Sequence, residues 1–263
     1  MRLDHGYLVL ATIGRIAVRW SCLTACLTVG AIKTVTGSRE AAGWDVCVSC
    51  AEVPIQPVPL TGKETGMDVG LQGFLATADG EIVENPRHFR KAENRLAQGQ
   101  RRVSRRKTGS KRRDKASKLL AKKQQQGRRQ RRAFPHTTAR WLVRPYDEIS
   151  LEARRVANLV RNAYLAKRIS AAGWAQFRTL LEGKAVDAGK RMVAVPAQYT
   201  SQDGSACGAR VQKSLSVRTH VCPCCGLVLD RDHNAARNVL WAGQTLRGVA
   251  AMAAAVNRES VGL

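Results

Sequence analysis

Apolar and polar positions alternate through the first sixty residues. Short apolar runs at Tyr7–Ile13, Ile16–Trp20 and Val46–Val53 are punctuated by Gly and Thr, the pattern of β-strands. Cys47 and Cys50 form a Cys-x-x-Cys pair, but three residues apart in an alternating strand they point to opposite faces. They read as strand thiols buried like small hydrophobes, as do Cys22 and Cys26. Residues 54–65, PIQPVPLTGKET, predict a linker. Gly66-Met67-Asp68-Val69-Gly70 follows, then an apolar run at Gly73–Thr77 and a turn at Asp79-Gly80. That order predicts a strand carrying one inward acid, Asp68, and a hairpin to a second strand. An acid between glycines is more often a turn residue; the succession of strand, acid and hairpin sets this one apart.

From Asn85 the period changes to three and four. Phe89, Ala92, Leu96, Gly99 and Val103 mark a helix with one narrow apolar seam. A break at Thr108-Gly109-Ser110 and a second basic helix from about Arg112 complete a helical hairpin over residues 87–133. Pro135 lacks the amide donor of an interior position and predicts the start, or a kink, of the next helix. Residues 146–151, YDEISL, predict a short buried strand leading into Glu152, and Arg191–Val195 a last strand. Between them, residues 162–184 predict a helix whose core face holds Leu165, Ile169, Trp174, Phe177 and Leu181. Trp174 could stack a base, but its place on that face favours the core. Residues 248–263 predict an Ala-rich helix. The mixture of strands and helices gives an α/β class.

Charge changes this picture. The 263 residues carry 44 Lys+Arg against 20 Asp+Glu, a formal net charge of +24. Between Arg87 and Arg132, twenty Lys and Arg face only Glu93 and Asp114, which accounts for +18 of that total. A solvated charge run would need no seam, whereas this one has a seam to pack, and charge so dense calls for phosphates. Arg101, Arg102, Arg105, Arg106, Lys107, Lys111, Arg112 and Arg113, which flank the break, are the candidate nucleic-acid contacts. A membrane is not an expected partner: the longest weakly polar run, Cys22–Ile32, falls short of the ~18 residues a spanning helix needs. Arg15 and Arg19 also break any signal-peptide pattern. The eight cysteines therefore suit a reducing cytoplasm, as metal ligands or buried thiols.

The densest chemistry lies in residues 199–240. A knuckle, Cys222-Pro223-Cys224-Cys225-Gly226, follows a half-knuckle ending at Cys207-Gly208. Thiolates on two tight turns can converge on one tetrahedral ion, which reads as a zinc ribbon. Asp230 and Asp232 then precede Asn234-Ala235-Ala236, which opens an apolar helix. A carboxylate fixed at a helix start beside such a ribbon suits a metal-dependent active site.

The phrases TSQ, KSLSVRTHVCP and DRDHNAARN, standing in that order, resemble the C-terminal end of TnpB (OrfB-type) proteins, transposon-encoded relatives of the type V CRISPR effector nucleases. The resemblance covers residues 60–260 well and residues 1–60 in part. It implies an RNase H-like (RuvC) domain over residues 61–198 with the basic hairpin inserted, a zinc ribbon over 199–228, and the last RuvC motif with a C-terminal helix over 229–263. A partial β-rich recognition lobe over residues 1–60 would precede them; relatives carry more chain before it, so an N-terminal truncation is expected.

The same resemblance implies that Asp68, Glu152 and Asp232 are catalytic and hold two Mg²⁺ ions about 4 Å apart, hard cations that suit carboxylates. It further implies a DNA target and a guide RNA. Glu152 is followed by Ala-Arg where relatives read Asp-Leu, and on the residues alone a surface glutamate is an equal reading. Asp230 is either the helix N-cap or a neighbour of the site. Gly204 stands where the family has its first cysteine, which leaves Cys207, Cys222 and Cys225 as Zn²⁺ ligands, Cys224 pointing away, and Asp203, His220 or water for the fourth place. A weakened zinc site is expected. The implied function is a transposon-associated RNA-guided DNA endonuclease working by a two-metal mechanism. The alternative is a truncated, catalytically impaired member that only binds DNA or RNA. A basic zinc-ribbon protein of ribosomal type would explain the charge but not the three acids.

Overall fold

The computed structural model describes residues 2–4, 6–11, 13–19, 31–53, 57–70, 72–153, 173–196, 198–214 and 217–260. Cys22, Cys26 and the first half of the helix expected over 162–184, with Leu165 and Ile169, lie outside these residues. The chain divides into two units, residues 1–55 with 95–128, and residues 56–94 with 129–263.

In the first unit β1 (Arg2–Asp4), β2 (Tyr7–Leu10) and β3 (Gly14–Ala17) form an antiparallel meander. β4 (Ala31–Glu40) and β5 (Gly43–Ala51) form a separate antiparallel ribbon. Val46, Val48 and Cys50 are half-buried along β5 while Cys47 is exposed, so the two thiols do face opposite ways. Neither is a buried hydrophobe, because a two-stranded ribbon leaves one face open to water.

The basic stretch forms α1 (His88–Ser104) and α2 (Lys111–Val143). Gly99 of α1 lies so close to Leu120 of α2 that a Cβ there would sit 2.9 Å from Leu120 Cδ1. The intervening turn is tied by its own arginines: Arg106 Nη1 donates to the Arg112 carbonyl at 2.5 Å, and Arg113 Nη1 donates to Thr108 Oγ1 at 2.7 Å. Arg128 pairs with both carboxylate oxygens of Glu40. Pro135 neither starts nor ends a helix; it is a buried residue inside α2. The packing of Ala139, Leu142 and Val143 in the last turns of α2 outweighs the missing amide donor.

The second unit is organised on a five-stranded sheet of order β10-β9-β6-β7-β8. It comprises β6 (Glu64–Val69), β7 (Gly73–Thr77), β8 (Ile82–Glu84), β9 (Glu148–Glu152) and β10 (Arg191–Val195). β6, β7 and β8 pair antiparallel, whereas β9 runs parallel to β6 and β10 parallel to β9. β6 begins at Glu64, so the last two residues of the expected linker belong to the sheet.

One face of the sheet buries Met67, Val69, Ile149 and Leu151 against the end of α2 and α3 (Trp174–Asp187), whose Trp174, Phe177, Leu181 and Ala185 are buried. Phe74 meets Phe134 and Phe177 edge-on at 4.8 and 5.0 Å. Trp174 is thus a core residue and not a base-stacking one. The other face carries α4 (Arg231–Ser260), which follows the hairpin β11 (Thr219–Val221) and β12 (Val228–Asp230).

Candidate active site and cysteine cluster

Strand alternation decides where the carboxylates point. On β6, Met67 and Val69 enter the core, so Gly66, Asp68 and Gly70 take the opposite face. The parallel register pairs Gly66 with Ser150 and Met67 with Leu151. Asp68 and Glu152 are the next residues on each strand, so they share a face at the strands' C-terminal ends. Both are buried, with 5% and 3% of their surface exposed.

Helix α4 lies along that same face because glycines let it. A Cβ on Gly66 would fall 2.2 Å from the Ala236 carbonyl oxygen, and one on Gly243 would fall 1.9 Å from Ser150 Oγ. Asp232 stands one helical turn before Ala236, on the same side of α4, and its Oδ2 is 3.4 Å from where a Gly70 Cβ would be. The three acids therefore come from β6, β9 and the start of α4 and share one face at the C-terminal end of the two inner strands. They do not form a tight cluster: among the described residues, the group whose ligand atoms all lie within 4.8 Å of one another is Cys207, Cys222 and Cys225.

Each acid is held. Thr200 Oγ1 donates to Glu152 Oε1, and Arg218 Nη2 pairs with Asp232 Oδ2 at 2.7 Å. Asp230 is the N-cap of α4, its Oδ1 accepting from the backbone amides of Asp232 at 2.8 Å and His233 at 3.3 Å. Glu152 is therefore a buried residue and not a surface glutamate.

Two residues that sequence reasoning passed over tie the site to the cysteines. Asn234 accepts from the Ser205 amide at 3.0 Å and donates to the Asp203 carbonyl at 2.8 Å. Asn238, one turn on, donates to the carbonyls of Thr200 and Asp203 at 2.8 and 2.7 Å. The spacing Asn-x-x-x-Asn at the start of an apolar helix was the available signal, since residues four apart share a helix face. Thr200 likewise stood in the TSQ phrase without a role.

The cysteines sit on two turns of matching backbone. Cys222 donates its amide to the Leu227 carbonyl and accepts from the Gly226 amide; Gly204 donates to the Ala209 carbonyl and accepts from the Gly208 amide. Gly208 and Gly226 both have φ of 73°, the left-handed conformation that closes each turn. Cys207 Sγ and Cys222 Sγ are 3.4 Å apart. The backbone amides of Cys225 and Cys224 are the main reason that the Cys222 thiol is lowered to about 7. For Cys225 the Leu227 amide favours the thiolate, but the sulfurs of Cys207 and Cys222 outweigh it and push the thiol up. Cys224 is exposed and outside the cluster.

The proposed nucleic-acid contacts Arg101, Arg102, Arg105, Arg106, Lys107, Lys111 and Arg112 are exposed, and Arg113 is half-buried. No helix among the described residues is long and apolar enough to cross a membrane.

The family model described as "Probable transposase" matches residues 45–163, and the one described as "Cas12f1-like, TNB domain" matches residues 174–239. A curated protein of Streptomyces pristinaespiralis, named "Putative RNA-guided DNA endonuclease", is 38% identical over 244 residues, covering 91% of this chain and 60% of the relative. The chain is thus similar to the TnpB-type family over both matched stretches. Another curated relative, "Putative RNA-guided DNA endonuclease InsQ" of Escherichia coli (strain K12), is 26% identical over 233 residues, or 82% of this chain and 58% of the relative. The chain spans about 60% of the length of these two curated relatives. Among solved structures, a Cas12f1 chain in a complex with sgRNA and target DNA matches with a TM-score of 0.51 at 16% identity, over 78% of this chain and 55% of that one. That likeness concerns the fold, and it agrees with the mixed α/β architecture.

Proposed function

We propose that this chain is a DNA endonuclease of the RNA-guided, transposon-associated kind, with an RNase H-like (RuvC) centre made by Asp68, Glu152 and Asp232. The observation that carries this reading is the convergence of three acids from three separate elements onto one face and one end of the mixed sheet. The strand order, three antiparallel strands followed by two parallel ones, supports the RNase H-like assignment. The names of the curated relatives support an RNA guide and a DNA target.

The three carboxylates fit hard divalent cations: they are oxygen donors, two of them are buried, and they sit at one end of the sheet rather than in the core. Bound Mg²⁺ there supplies charge that activates water and stabilises the leaving 3′-oxygen of a phosphodiester. The chain's own residues do the rest. Thr200 fixes the rotamer of Glu152. Asp230 fixes the backbone on which Asp232 stands, and Arg218 holds the Asp232 side chain from the β11 side. The exposed arginines and lysines at the turn between α1 and α2 offer phosphate contacts that bind without reading sequence. Cys207, Cys222 and Cys225 would hold zinc, a structural role suited to thiolates on paired turns.

The spread of the three acids, with Asp232 engaged by Arg218, favours a second reading, a member that binds nucleic acid without cutting it. Protein purified with its RNA, given labelled DNA and Mg²⁺, distinguishes the two. The nuclease reading expects cleavage that Asp68→Ala abolishes without loss of binding. Equal binding with no cleavage by either protein would overturn it.

A further inference from the structure

The first of the two turns, residues 204–209, is complete in every respect except a side chain. Gly204 repeats both backbone hydrogen bonds of Cys222, and Cys207 stands to it as Cys225 stands to Cys222. A Cβ on Gly204 would lie 3.5 Å from Cys222 Sγ, so this buried glycine lies beside the cluster at the place where a fourth ligand would start.

One side chain points into that place. His220 is fully buried, and its Nε2 has no hydrogen-bond partner. Nε2 is also 3.4 Å from the same Gly204 Cβ position, nearer than any other heavy atom there. An unpaired buried ring nitrogen is costly unless something it binds is missing. The two other atoms at that position are the Ala209 carbonyl, already accepting from Gly204, and Cys222 Sγ.

The geometry points to His220 as the fourth ligand of a thiolate-bound divalent cation, taking the place that Gly204 leaves without a side chain. The assignment rests on the reading that Cys207, Cys222 and Cys225 hold zinc. Asp203 does not compete: its carboxylate is held by Arg210, Nε to Oδ1 at 2.8 Å and Nη2 to Oδ2 at 3.3 Å. Its carbonyl is taken by Asn234 and Asn238. His220 Nε2 is not within 4.8 Å of all three sulfurs, so binding requires the ring or the Gly204 turn to move toward them. Binding through Nε2 places the ring proton on Nδ1, which now faces Lys213 Nζ, so Lys213 gives up that contact when the ion enters. A site of three sulfurs and one nitrogen is an ordinary closed structural zinc site.

The test uses the full chain with Zn²⁺ or Co²⁺ as the only added metal. X-ray absorption on the zinc form should resolve three sulfurs at about 2.3 Å and one nitrogen at about 2.0–2.1 Å. His220→Phe keeps a buried ring but should weaken Zn²⁺ binding by at least about 100-fold, more than loss of a supporting partner usually does. Gly204→Cys should restore binding to the His220→Phe chain and give a four-sulfur spectrum with Co²⁺, because the glycine backbone is not left-handed and its Cβ site is free of clash. Unchanged affinity and spectrum in His220→Phe, or a change on Asp203→Asn instead, would overturn the assignment. Absence of zinc even in Gly204→Cys would overturn the underlying cluster reading with it.

Discussion

The carboxylate site and the cysteine cluster lie at two ends of one short loop, residues 200–205, and they are built by contrasting means. The acids are placed by regular elements: strand register sets Asp68 beside Glu152, and the closeness of α4 to β6 at Gly66 sets Asp232 over them. Their positions depend on long-range packing rather than on the residues next to them in sequence. The cysteines are placed by turn backbones that close on themselves, so each turn persists even where its side chain is lost, as at Gly204. The first site is robust to local change and sensitive to packing; the second is the reverse. Asn234 and Asn238 of α4 join them by holding the loop whose Thr200 fixes Glu152.

The sharpest break in that comparison is Gly66→Ala. Its Cβ would meet backbone atoms of Ala236 and Leu240 at 2.2 and 2.3 Å, and backbone cannot turn aside. Loss of about 3 kcal/mol or more in a urea unfolding titration is expected, at the upper end of overpacking costs. Gly248→Ala, with open space around it, should instead be neutral or gain up to about 1 kcal/mol of helix stability. Asn234→Ala comes next: it strips two hydrogen bonds from a fully buried position and should cost about 1–3 kcal/mol, with faster hydrogen exchange confined to residues 200–208. Thr200→Val keeps the shape and removes the hydroxyl on Glu152. It should lower kcat about 10-fold or more with little change in nucleic-acid affinity, and Thr200→Ser should recover most of it.

The smallest effect is acidic. Asp147 is lowered from 3.8 to about 2, chiefly by its hydrogen bond from Lys190, with help from the Gly62 and Thr61 amides. The folded value lies below the unfolded one, so this contribution is fully present above pH 3.8 and is lost as pH falls through about 2. Asp147→Asn should be less stable than the parent at neutral pH and converge with it at the acid end of that window, by urea midpoint.

Legibility in the sequence followed the same divide. Asp68, Asp232 and the three cysteines stood out as candidates because short motifs carry them, and Glu152 only through the family resemblance, while β10 and the helices α1 and α2 were readable because their periods are local. What escaped notice depends on contacts distant in sequence. Gly66 matters only because a helix some 170 residues on lies against the sheet, and Gly243, on that helix, because Ser150 of the sheet faces it. Pro135 continues a helix because the core beyond it holds the last turns, a tertiary effect that local propensity does not contain. The sequence leaves Asp203, His220 and water open for the fourth place at the cysteines, and the approach of His220 Nε2 to the Gly204 Cβ position, which no local period contains, singles it out.

The central claim is that three acids from three elements act as one centre. Asp68→Ala, Glu152→Ala and Asp232→Ala, alone and in pairs, should be compared for Mg²⁺-dependent DNA cleavage with RNA-loaded protein, alongside binding of the same DNA. Groups acting as a unit are not additive, so each single change should cost at least about 1,000-fold and the pairs no more, with binding unchanged. Single changes that multiply in the pairs, or an Asp232→Ala chain that still cuts, would contradict it.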